Sequence, residues 1–306
     1  MPDSYLQSDG TGAPETLRWS VGQRNYSLDF SRPVLMGIVN VTPDSFSDGG
    51  HFFEPEAAVA QARRHLREGA AILDLGAETT RPGSLPTEAG EEWRRLAPVI
   101  EALAELPERP IISVDTYKAS VAEKALLAGA SIVNDVYAGR KEPEILAVAA
   151  KYGAPVILMH MLGEPRTMQV EPRYDDVVGE VRAFLLQRAL LAMEAGIPKE
   201  RIFLDPGIGF GKNADHNLTL INHFPEVFPP GFRRVMALSR KAFLGKIIND
   251  PDPLKRDAAT AVASALSALK GAEILRVHNV APTLEAMSVA LAVKRESLAP
   301  VGAPQS

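Results

Sequence analysis

Eight short apolar segments, each followed by a stretch of helical periodicity, limit this chain's fold most tightly. They are VLMGIVN (34–40), AILDLG (71–76), IISVDT (111–116), SIVNDV (131–136), PVILMH (155–160), IFLDPG (202–207), RRVMALSR (233–240) and ILRVHN (274–279). Runs this short and this rich in Val, Ile and Leu suit strands buried on both faces. Helical spacing follows at 55–69, 88–105, 118–128, 142–152, 174–195, 213–224, 256–270 and 282–297; in the first of these Ala58, Ala62, His65 and Leu66 share one stripe. Gly129, Gly153, Gly196 and Gly271 stand between a helical stretch and the next strand, the usual C-terminal signal. Eight strand–helix units in about 265 residues predict an α/β fold, a closed (β/α)8 TIM barrel, with a doubly wound open sheet as the alternative. Residues 17–30 alternate loosely around Gly22 and Asn25 and predict a short N-terminal hairpin ahead of the barrel. The domain reading is a disordered N-terminus (1–16), one barrel domain (17–298) and a disordered tail (299–306).

Composition removes several classes of function. The 306 residues include no Cys, so a disulfide framework, a thiolate nucleophile and Cys-ligated zinc or iron–sulfur sites are excluded. No apolar run reaches the ~18 residues of a membrane span. The Ala-rich stretch 258–269 is interrupted by Thr260, Ser264 and Ser267, and the first residues lack the basic and apolar regions of a secretory signal. A cytoplasmic location without membrane contact is the expectation. A net charge of −5 argues against a nucleic-acid partner, while leaving room for local basic pockets.

In a TIM barrel the active site is built from the loops after the strands, and polar residues crowd those positions. They are Asn40; Glu78 with Thr80 and Arg81; Asp115; Asn134 with Asp135; His160; Asp205; Ser239 with Arg240 and Lys241; and Arg276 with His278. Strands buried on both faces have no structural need to end this way eight times. The residue types also sort around the mouth. Arg81, Arg240, Lys241, Arg276 and His278 supply positive groups on one side, suited to an anion such as a phosphate. Asp115, Asn134 and Asp205 stand on the other, suited to a flat heterocycle with several N–H donors. A phosphorylated heterocycle follows as the substrate class.

Two loops, 41–55 and 77–90, exceed the usual 2–6 residues of such connections and are candidate lids or plain surface loops. Phe46, Phe52 and Phe53 are apolar for the latter. The segment DPGIGFGK (205–212) is neither a P-loop nor a dinucleotide fingerprint, because its glycines are wrongly spaced and Asn213 replaces the magnesium-binding Ser/Thr. Its glycines are read as letting backbone approach a planar ligand, with Phe210 as wall or stacking residue. His160 is open to a structural or a functional role, and Met159 reads as pocket wall.

The strings MGIVNVTPDSFSDGG, LDLGAETTRPG, SVDT, VND, LMHM, DPGIGFGK, LSRK and RVHNV resemble, in order and spacing, the signature of the dihydropteroate synthase family across about residues 34–280. The resemblance implies a barrel that joins 6-hydroxymethyl-7,8-dihydropterin diphosphate to 4-aminobenzoate, giving 7,8-dihydropteroate and diphosphate. It also implies magnesium held largely through the diphosphate, inhibition by sulfonamides, and a homodimer. Carried over by motif, Asn40 would serve the magnesium and the diphosphate, with Arg276 and His278 on the diphosphate oxygens. Asp115, Asn134, Asp205 and Lys241 match pterin-binding positions, with Met159 and Phe210 lining the pocket. Thr80, Arg81, Pro82, Phe46 and Ser239 match the 4-aminobenzoate subsite. Asp115, Lys241, Arg276 and His278 are the expected catalytic set. The chain departs from the pattern at Ala242, where Ser is frequent, at Asn279, where Asp is common, and in GAETT for GGEST.

The chemistry expected of such a site is ionisation, because an arylamine is a weak nucleophile and the pterin ring can delocalise a positive methylene. The alternatives are a pterin- or folate-binding methyltransferase subunit with a corrinoid partner, and a non-catalytic pterin-binding barrel. The first has no need of the TRPG loop or the SRK and RVH clusters; the second predicts losses among Asn40, Arg81, Lys241, Arg276 and His278, and none is lost.

Overall fold

A computed structural model describes residues 15–42, 55–78, 86–163, 168 and 171–296. Two antiparallel strands, β1 (Thr16–Val21) and β2 (Arg24–Asp29), come first, turning at Gly22 with φ +58°. Their inward residues alternate with exposed ones, as one-sided burial requires. The barrel follows as β3 (Val34–Asn40), α1 (Pro55–Arg67), β4 (Ile72–Gly76), α2 (Ala89–Ala104), β5 (Ile111–Asp115), α3 (Ala119–Ala128), β6 (Ile132–Asp135), α4 (Glu144–Tyr152), β7 (Val156–Met159), α5 (Val177–Glu194) and β8 (Ile202–Asp205). It continues with α6 (Ala214–Asn222), α7 (Phe224–Val227), β9 (Arg233–Met236), α8 (Ala242–Ile248), α9 (Asp257–Leu269), β10 (Ile274–Val277) and α10 (Val280–Arg295). Strands β3 to β10 run parallel and close on themselves, β10 pairing with both β9 and β3. The closed barrel is therefore the fold, and the open sheet is not. Almost every residue of these strands is buried, which is why they read as apolar runs without alternation.

The hairpin packs against the N-terminal ends of the barrel strands. Trp19 and Tyr26 stack at 5.5 Å, the Trp19 indole N–H donates to the Ser131 carbonyl at 3.0 Å, and Tyr26 Oη donates to the Gly129 carbonyl. With one end covered, the other remains for chemistry.

Some boundaries differ from the sequence reading. The hairpin starts at Thr16 rather than residue 17. The helix expected over 213–224 breaks at His223, because Pro225 in the first turn of α7 has no N–H with which to continue α6. Helix α5 starts after Asp176, whose side chain accepts from Gly179 N, instead of at Tyr174. The segment expected as strand over 233–240 leaves the sheet after Met236, and residues 237–241 lead into the short helix α8. Most of the two long loops, including Phe46, Phe52, Phe53, Thr80, Arg81 and Pro82, and both terminal segments lie outside the described residues.

Candidate active site

At the C-terminal ends of the strands the expected cationic and acidic side chains meet. Arg276, third residue of β10, donates from Nη2 to Asp115 Oδ2 at 2.8 Å, at the end of β5. Its Nε donates to Asp74 Oδ2 at 2.6 Å, and the same oxygen accepts from Asn134 Nδ2 at 3.1 Å. Asp74 is fully buried in the middle of β4, and its Oδ1 has no hydrogen-bond partner. A guanidinium has five N–H donors, so two engaged by carboxylates leave three to face a ligand.

The charges in this cavity act on one another. Burial pushes the Asp115 carboxyl up to about 7, with Arg276 opposing and Asp74 reinforcing the rise. Burial likewise raises Asp205, at the end of β8, to about 6 against the Gly207 N–H and the charges of Lys241 and Arg276. Lys241 is lowered to about 8 by burial and by Arg276, while Asp205 and Asp115 oppose the fall. Burial works against the Arg276 charge, but Asp74 and Asp115 outweigh it and hold the pKa above its ordinary value. Titratable groups shifted toward neutrality and clustered in one cleft mark a functional site.

The positive side is smaller than the sequence suggested. Arg240 forms a bidentate pair with Asp257, the first residue of α9, at 2.6 and 2.8 Å, so its charge is matched locally. His278 is lowered to about 3 by burial and by the neighbouring Arg276, Arg240 and Lys241, which disfavour its charged form. Its Nδ1 lies 2.9 Å from Ser239 Oγ, which also accepts the His278 backbone N–H at 3.1 Å. The free cations on this side are thus Lys241 and the unshared edge of Arg276, among the described residues. Asn279 has a local reason: its amide donates to Asp257 Oδ2 at 3.0 Å, where an Asp would set two carboxylates together. Ala242 is the first residue of α8, and its side chain is exposed.

The apolar wall is a separate cluster of Val136, Tyr137, Met159, Met161, Met168 and Phe210, with Tyr117 packed against it. Lys241 Nζ sits 3.9 Å from the centre of the Phe210 ring. Met159 and Phe210 thus share one apolar cluster, and Tyr117 and Tyr137 meet each other edge-on at 4.9 Å. Gly207 of DPGIGFGK has a close neighbour within the chain. A Cβ on Gly207 would meet the His160 carbonyl oxygen at 1.8 Å, so the close approach is to the end of β7.

Other polar residues at the strand ends are occupied in holding loops. Asp135 accepts from Tyr137 N, Glu78 pairs with Lys118 at 2.6 Å, and Lys118 also pairs with the buried Glu92. His160 is packed edge-on to Phe184 and contacts Lys212. Asn40 ends β3 with its side chain exposed. Among the described residues no group of three or more His, Asp or Glu is arranged to cage a metal. A lone amide oxygen at the mouth fits magnesium, which keeps several waters and draws other ligands from substrate phosphates.

Sequence reasoning missed Asp74, Tyr117, Tyr137 and Lys212. Asp74 alone left a clear signal, a carboxylate inside the apolar run ILDLG with no capping role to account for it.

A family model described as pterin binding enzyme matches residues 36–278. The dihydropteroate synthase of Synechocystis sp. is 46% identical over 264 residues, which span 86% of this chain and 91% of the relative. Xanthomonas albilineans dihydropteroate synthase with 4-aminobenzoic acid superposes with a TM-score of 0.83 at 45% identity, covering 90% of this chain and 98% of that one. The enzyme of the same organism in complex with 7,8-dihydropteroate gives 0.81 at 43% identity, over 91% and 99%. The chain belongs to the pterin binding enzymes, as a member of the dihydropteroate synthase family.

Proposed function

We propose that the barrel mouth condenses 6-hydroxymethyl-7,8-dihydropterin diphosphate with 4-aminobenzoate, releasing 7,8-dihydropteroate and diphosphate. The observation that carries this reading is the 2.8 Å contact of Arg276 with Asp115, a cation and a carboxylate brought together at the barrel mouth. The C–O bond of the pterin methylene breaks first, its electron pair leaving with the diphosphate. The amine lone pair of 4-aminobenzoate then closes the new C–N bond, and the amine loses a proton. Arg276 offsets the charge growing on the leaving group, His278 contributes there as a hydrogen-bonding group, and Lys241 binds the pterin. Asp115, as a carboxylate beside the ring, offsets the positive methylene. Asn134 and Asp205 orient the heterocycle edge, with Met159 and Phe210 as its walls. Ser239, with Thr80, Arg81, Pro82 and Phe46 from the family pattern, serves 4-aminobenzoate, and sulfonamides compete there.

Asn40 would hold magnesium together with the substrate diphosphate; the ion supplies Lewis-acid stabilisation of the leaving group. The reading carries with it a cytoplasmic location and a homodimer. Support for the dimer comes from α9 and α10, where Val262, Leu266, Val289 and Val293 are exposed in pairs four residues apart. Among the described residues no helix is long and apolar enough to cross a membrane.

The test is to incubate the purified protein with pterin diphosphate, magnesium and 4-aminobenzoate. Dihydropteroate and diphosphate in equal amounts are expected; diphosphate release without dihydropteroate, or no reaction, contradicts the reading.

A further inference from the structure

Lys212 closes the segment that follows β8, and its side chain is among the largest that are fully buried. Its Nζ lies 2.8 Å from His160 Nδ1, 2.9 Å from the Gly207 carbonyl oxygen and 3.0 Å from that of Phe210. An ammonium has three N–H donors and no acceptor, so these partners use all three. While Lys212 is charged, His160 Nδ1 accepts, which leaves the ring proton on Nε2. Burial lowers the Lys212 amine to about 7 against the pull of Asp205, and lowers His160 to about 2, consistent with a neutral imidazole.

The segment so gripped has little stiffness of its own. Gly207, Gly209 and Gly211 all adopt positive φ, at +66°, +81° and +62°. Yet it presents two groups to the mouth. Gly207 N–H donates to Asp205 Oδ1 at 2.7 Å, and the Phe210 ring faces Lys241. Filling the space behind it calls for no charge, since an apolar side chain would do so without burying one. The three-way grip on two loop carbonyls and the residue following β7 accounts for a charged group here.

We propose that Lys212, with His160 as its acceptor, is a positioning residue that holds Asp205 and Phe210 in place for the pterin ring. It acts through the loop backbone and touches no substrate, and the inference rests on the function proposed above. Lys212→Met is expected to weaken calorimetric binding of pterin diphosphate by about tenfold and to raise its KM equally. The KM for 4-aminobenzoate should stay within about twofold. A residue that only supported folding would lower kcat with both KM values unchanged, and that result overturns the proposal. Should Lys212→Met fail to fold, His160→Leu, which keeps both carbonyl acceptors, gives the same split at about threefold; no split there overturns it. At pH 6, where the Lys212 amine is charged, nitrogen-15 NMR of the wild-type imidazole should show His160 Nε2 protonated and Nδ1 accepting, and a proton on Nδ1 contradicts the latch. Wild-type protein that binds pterin diphosphate but makes no dihydropteroate would refute the functional reading alone, since the latch is judged by binding.

Discussion

At the N-terminal end of the barrel, Arg233 is buried against Glu273 at 2.6 Å, and its guanidinium lies 3.6 Å from the centre of the Phe30 ring. The other oxygen of Glu273 accepts Arg234 N–H at 3.0 Å. At the mouth, Arg276 is shared by Asp74 and Asp115, one Asp74 oxygen has no partner, and two carboxyls are pushed toward neutrality. Both ends bury an arginine–carboxylate contact. At the first, Arg233 and Arg234 both face Glu273, and Arg233 also meets an aromatic face; at the second, more acid is buried than one guanidinium can satisfy. Charges that answer one another fix shape, whereas surplus buried acid shifted toward neutrality marks a place for a ligand.

The two ends should respond differently to substitution. Asp115→Asn removes the carboxylate that the proposed reaction sets beside the methylene, and turnover should fall by about a hundredfold or more in steady-state assays; near-wild-type rates would dissolve the contrast. Arg233→Met should lower stability by about 2 kcal/mol in denaturant unfolding, less than for a wholly buried pair because Glu273 keeps some solvent contact. Its turnover at 25 °C should match wild type.

The folded-state pKa of Asp115 is raised, to about 7, chiefly by burial, so the group is protonated below that pH and charged above it. The kcat/KM for pterin diphosphate should therefore rise with pH through about 7, with a loss of about fivefold between pH 7 and pH 6. Asp115→Asn should lack this limb. A limb surviving there would belong to Asp205 or to the substrate and not to Asp115. The smallest effect is expected for Asn279→Asp, which sets a second carboxylate against Asp257 and should cost about 1 kcal/mol in thermal unfolding.

Much of this was legible in the sequence, for identifiable reasons. Strands buried on both faces read as apolar runs, so a polar residue at each end stood out, and Asp115, Asn134, Asp205 and Arg276 were found that way. What a side chain meets across the barrel was not legible. Arg240 looked like a free cation until Asp257, seventeen residues on, was seen to match it. His278 looked positive until its buried position among three cations was known. Asp74 escaped because it lies within a strand and not at its end. Lys212 escaped because its partners are two backbone carbonyls and a histidine fifty-two residues away, which no motif records.

The central claim is that recognition of the pterin diphosphate resides in the shared charge cluster at the mouth and not in buried arginine pairs in general. Calorimetric titration of pterin diphosphate into Arg276→Met and Arg233→Met, at a temperature where both are folded, tests it most directly. Binding to Arg276→Met should weaken by about a hundredfold while Arg233→Met stays within about threefold of wild type. Equal affinities for the two variants would contradict the account.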